Sequence, residues 1–166
     1  MNAAHIHLLL NHIPVIGVPL VLLLLLYGIL GRHEEVKKSA YAAFVIMAVV
    51  AIPTYWTGEP AENIIENLSG VSEFYFGKHE DAALWAMIGT ETLGTLALAA
   101  HFAFRAPKIV TAWFLNLLLG MAVITSLLMA WTANLGGQIR HMELRSDTTL
   151  KTMPDETNTA NEKDDD

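Results

Sequence analysis

Seven histidines stand in this 166-residue chain. Three fall close together near its start, in HIHLLLNHIP: His5, His7 and His12. His79 sits beside Glu80 and Asp81 in HED, Glu59 and Glu62 lie three apart in GEPAE, and His141 follows Arg140 in GGQIRHMEL. Two kinds of chemistry suit such a set. Haem b takes two neutral imidazoles from facing helices in an apolar slot, and His7 or His12 opposite His79 would supply them. In that reading Arg140 pairs with a propionate, or else with Glu143, and His141 also lies at the cofactor. The rival is a Zn, Fe or Mn site, because imidazole mixed with carboxylate suits these ions better than Cu(I), which prefers softer ligands. Its ligands would be His79, Glu59, Glu62 and His141. The chain has no cysteine, so disulfides, thiolate sites, iron–sulfur clusters and covalent c-type haem are excluded.

Spacing sorts the first three histidines. Residues seven apart on a helix are separated by about 20° and those five apart by about 140°. His5 and His12 therefore share a face, with His5 an exposed terminal residue, and His7 looks elsewhere. Pro14 and Pro19 each leave a carbonyl without its donor, which predicts a bend beside His12. A further titratable group, Glu91 in IGTETLG, falls in the middle of an uncharged run. A charge there costs about 2.5–3.5 kcal/mol, so the carboxyl should face the bundle and be protonated or partnered by Thr90, Thr92, Thr95 or Asn116. Its role would be proton relay or quinone contact, or only interhelical glue worth about 0.6–2 kcal/mol.

The elements that must position these groups are membrane spans. Hydrophobic residues make up 53% of the chain, gathered in long uncharged runs. About 20 apolar residues cross roughly 30 Å of hydrocarbon as a helix, and runs without period-two alternation are helices rather than barrel strands. Four spans are predicted, at about 6–30, 39–57, 82–104 and 109–135. A short interfacial helix, PAENIIENL, opens on Pro60 after the second. Acidic residues near its start suit the helix dipole and need no further role. The fold class is thus an all-α membrane four-helix bundle over residues 1–145, with a disordered acidic tail at 146–166. The first span lacks a basic leader and a cleavage site, so it is expected to be retained.

Four spans put the starts of the first and third on the same side as the ends of the second and fourth. Five histidines (His5, His7, His12, His79 and His141) gather there, with Tyr55, Trp56 and Trp131 as an aromatic belt. His33 lies on the other side and His101 near it. The loops GRHEEVKK and RAPK carry Arg32, Lys37, Lys38, Arg105 and Lys108, whereas the long connector carries Lys78 among many acids. Basic loops stay in the cytoplasm, which places both termini outside. The net charge of −7 resides largely in that connector and the tail, and no basic stripe suggests nucleic acid. A faint repeat is also visible. His7 precedes Gly17 by the spacing at which His79 precedes Gly89, and the second and fourth spans close with YWTG and AWTAN. Two copies of a helical hairpin would relate His7 to His79 by a pseudo-twofold axis. Gly136-Gly137 reads as a helix stop that swings Arg140 and His141 back over the site.

Taken together, HLLLNHIP and GGQIRH resemble the opening and closing motifs of a family of small bacterial four-helix membrane proteins known only as a domain of unknown function. The resemblance spans roughly residues 5–145. It implies residence in the bacterial inner membrane, and occasional fusion of relatives to cytochrome domains implies electron transfer by analogy. Three functions stay open: a b-type cytochrome-like electron carrier, a non-haem metal-binding membrane protein, and a non-catalytic subunit of a larger respiratory or transport complex. The expected partners are the lipid bilayer, a respiratory protein and further copies of the chain. No nucleophile–base constellation or phosphate loop marks an enzyme.

Overall fold

In the computed structural model the described residues are 1–66, 68, 70–103, 111–141 and 144. Five helices follow in order: α1 (Ala3–Leu30), α2 (Glu34–Trp56), α3 (Gly58–Ile65), α4 (Glu73–Ala103) and α5 (Ala112–Arg140). The expected tail, the RAPK loop and Glu143 lie outside the described residues.

Local chemistry sets the ends. Asn2 caps α1 by accepting the His5 N–H at 3.0 Å, meeting one of the donors a helix start leaves free. Arg32, at φ 55°, turns the chain into α2. Glu34 and Glu35 open that helix, where acids suit the dipole, and pair with Lys37 and Lys38 at 2.7 and 2.8 Å. α2 and α3 are separated by Thr57 alone. Pro14 and Pro19 lie inside an uninterrupted α1.

α1, α2, α4 and α5 are long and apolar enough to cross a membrane. At 28 residues and about 1.5 Å per residue, α1 alone reaches roughly 42 Å. Leu20, Leu23, Ile46, Val49 and Leu127 point outward and are exposed, as side chains that face lipid are. The chain is a four-span integral membrane protein. Around the bundle α1 contacts α2, α2 contacts α4, α4 contacts α5, and α5 returns to α1, while α3 lies against α1. The centre holds Val18, Leu25, Phe44, Leu93 and Leu118, with Ala40, Ala97, Ala100 and Ala122 where helices approach. Small residues let backbones come close, which matters in lipid, where burial gives no hydrophobic drive.

The faint repeat holds through the packing. At the shift that takes His7 to His79, buried Pro14, Val18, Val21, Leu25 and Gly28 of α1 map onto buried Ala86, Thr90, Leu93, Ala97 and Ala100 of α4. At the shift that takes Thr54 to Thr132, buried Ala40, Phe44 and Ala51 of α2 map onto buried Leu118, Ala122 and Met129 of α5. Thr54 therefore matches Thr132, whereas YWTG and AWTAN had aligned Thr57 with it.

Several boundaries differ from expectation: α2 begins at Glu34 rather than near 39, and α3 opens at Gly58 rather than Pro60 and ends at Ile65. α4 begins at Glu73 rather than near 82, because the polar residues before the span continue the helix beyond the hydrocarbon. α5 runs through Gly136-Gly137 to Arg140. Glycine permits a helix stop without requiring one, and here tertiary contact sustains the helix.

Candidate functional site

The longer α4 places His79 inside a helix, close to its start, as His7 lies close to the start of α1. Both imidazoles turn inward and are half-buried. His7 Nδ1 lies 3.0 Å from the Thr54 carbonyl oxygen and 3.2 Å from Thr57 Oγ1. His79 Nδ1 lies 3.0 Å from the Thr132 carbonyl oxygen. A carbonyl only accepts, so in both rings Nδ1 carries the proton and donates it. That fixes the tautomer and leaves each Nε2 with a free lone pair. The two rings are close enough to interact electrostatically.

The supporting groups are duplicated too. Thr54 Oγ1 donates to the Val50 carbonyl at 2.8 Å, and Thr132 Oγ1 to that of Leu128 at 2.9 Å. A glycine lies beside each ring. A Cβ at Gly58 would meet His7 Cε1 at 3.7 Å, and one at Gly136 would meet His79 Cε1 at 3.1 Å. These glycines let the imidazoles rest on helix backbone, which is what Gly136 does in place of ending α5.

The other predicted residues distribute differently. His12 is exposed and turned away from the pair, with Nδ1 on the Leu8 carbonyl of its own helix. It lines an outward groove with His5, Leu8 and Leu9, so His5 and His12 do share a face and His7 does not. Arg140 and His141 are exposed at the end of α5, where the His141 N–H caps the Gly137 carbonyl. With no stop at Gly136-Gly137, they are not swung back over the bundle. Glu59 is exposed, and Glu62 is within electrostatic reach of Glu80, Glu66 and Glu59. Among the described residues, no three His, Asp or Glu side chains converge as a metal-ligating group, so His79, Glu59, Glu62 and His141 are not gathered as one set.

Glu91 has one carboxyl oxygen buried without a hydrogen-bond partner among the described residues. Thr90, Thr92 and Thr95 donate to carbonyls of their own helix instead, and Asn116 is exposed. The expected partners are therefore not engaged. A threonine in a helix finds the carbonyl one turn back more easily than a neighbouring carboxyl.

Sequence reasoning missed Thr54, Gly58 and Gly136 as neighbours of the imidazoles. The repeat as read from the sequence could not have found the two glycines, since the shift of Gly17 to Gly89 takes Gly58 to Ala130 and the YWTG–AWTAN alignment takes it to Ala133. Comparison with known protein families, with curated proteins and with solved structures finds no match, and no family is identified for the chain.

Proposed function

We propose that this chain is a membrane electron-transfer component that holds haem b between His7 and His79. One observation carries the reading. Two inward imidazoles from different helices each commit Nδ1–H to a backbone carbonyl, leaving two Nε2 lone pairs at one end of the bundle. A ligating histidine almost always donates its other N–H to a carbonyl or carboxylate, which orients the ring and raises its basicity. Two axial imidazoles suffice for haem, whereas a non-haem ion needs a fuller set than the described residues bring together. The group would supply a one-electron couple. The protein's part is to hold both rings, through Thr54 and Thr132, and to keep them against helix backbone at Gly58 and Gly136. The basic α1–α2 loop, carrying Arg32 and Lys38, supports a bacterial inner-membrane orientation with the imidazole end outside.

The test is haem titration of the detergent-purified chain, read as a reduced-minus-oxidised spectrum. The expected result is a six-coordinate low-spin b-type spectrum that disappears in His7→Ala and in His79→Ala. A chain that takes up no haem overturns the proposal. Metal in chelator-free preparations would then favour the non-haem reading, and a blank spectrum with a co-purifying respiratory protein would favour the subunit reading.

A further inference from the structure

The interface between α2 and α4 carries polar groups that the imidazole site does not use. Tyr41 is 2% exposed, and its hydroxyl is buried without a hydrogen-bond partner among the described residues. His101 Nδ1 and Glu91 Oε1 share that condition. Their level is fixed by a close approach of the two helices, where a Cβ at Gly94 would overlap the Ala48 side chain. Tyr41 lies seven residues before Ala48, and His101 lies seven after Gly94. In antiparallel helices this brings both to the same depth, on the stripes that face each other, since seven residues return to within about 20°. Glu91, three residues before Gly94, sits about 60° round α4 from that contact, on its flank.

The repeat supplies an internal control. The corresponding interface, less closely packed, lies between α5 and α1. There the counterparts of Tyr41, His101 and Glu91 are Leu119, Ile29 and Pro19. The fold is thus assembled there without polar side chains at these positions. An unpaired polar group in hydrocarbon costs on the order of several kcal/mol, and water is the partner that relieves it at least structural cost.

We propose that the flank of the α2–α4 interface is a proton-access route from the membrane face of the α1–α2 loop to Glu91. Protons reach Tyr41 and His101 from water at that face. They pass along bound water to the carboxyl, and the proton already on Glu91 leaves by the same way, so the process is an exchange that needs no co-reactant. The ten residues between His101 and Glu91 span about 15 Å, the length of about five hydrogen-bonded waters at roughly 2.8 Å each. Among the described residues, Glu34 lies within electrostatic reach of Tyr41 at the entrance and is paired with Lys37 at 2.7 Å. None of the three proposed groups adjoins His7 or His79, so the route stands independently of haem.

Infrared spectroscopy of the full chain in proteoliposomes tests this. The carboxylic C=O band lost in Glu91→Gln belongs to Glu91. After transfer to heavy water it should shift promptly in the unaltered chain. In Tyr41→Phe and in His101→Leu the shift should be slower by about tenfold or more, the equivalent of 1.4 kcal/mol in barrier. Tyr41→Phe keeps the ring and so keeps the packing. Leu119→Met, in the mirrored interface, should leave the rate unchanged. An unaltered rate in both seam variants overturns the route, as does a band that never exchanges or the absence of any band lost in Glu91→Gln.

Discussion

The two helical hairpins, α1–α2 with α3 and α4–α5, share a pattern of buried positions and each set a carbonyl and a glycine beside an imidazole, yet matched residues differ in type along their length. Val18 and Met47 in the first correspond to Thr90 and Thr125 in the second, and Pro19 corresponds to Glu91. The interfaces between hairpins differ as well. α2 meets α4 through Gly94 and Ala48, whereas the matching contact between α5 and α1 has Leu22 and Ser126. Tyr41 and Ala48, on the stripe of α2 that faces α4, are buried, and their counterparts Leu119 and Ser126 are only half-buried. A missing side chain at one position brings the helices together along one interface and not the other. What the halves share is therefore the buried pattern and the seating of the imidazoles, and what separates them is how closely their helices cross.

That comparison can be broken at the imidazoles first. If the halves contribute equally, His7→Ala and His79→Ala each abolish the six-coordinate haem spectrum. Retention in one of them would mean that a single hairpin carries the site. Next in size is Gly94→Leu, which gives the second hairpin the residue of the first. The side chain would overlap Ala48, and overpacking of this kind costs about 1–3 kcal/mol, readable as a lower unfolding midpoint in micelles. No loss would show that the two interfaces are equally spaced.

The glycines beside the rings give a finer contrast. Alanine for glycine within a helix gains roughly 0.5–1 kcal/mol. Gly58→Ala, at the first residue of α3, should realise part of that gain, because 3.7 Å to His7 is ordinary contact, while Gly136→Ala should forfeit it against His79 at 3.1 Å and weaken haem uptake. Equal melting shifts in the two variants would contradict the difference in seating. A last contrast, of similar size, concerns Thr125, fully buried with its hydroxyl unpartnered among the described residues. Thr125→Val should stabilise by on the order of 1 kcal/mol. Thr132→Val, which removes a bonded hydroxyl, should not stabilise.

Much of this was legible in the residues. Four uncharged runs determined four helices and their alternation, because backbone polar groups have no other way to be satisfied in hydrocarbon. From that followed the gathering of five histidines on one side, and spacing alone separated His7 from His5 and His12. Helix ends were less legible, since α4 extends past its apolar run into the polar residues from Glu73, and Gly136-Gly137 carries the same letters whether it ends a helix or seats a ring. The inward turn of His7 and His79, the carbonyls of Thr54 and Thr132 that fix their tautomers, and the unequal helix crossings were decided only by the tertiary structure. Composition and period record which residues avoid water. A hydrogen bond across 47 or 53 residues depends on where two helices cross, and that is set by the volumes packed between them.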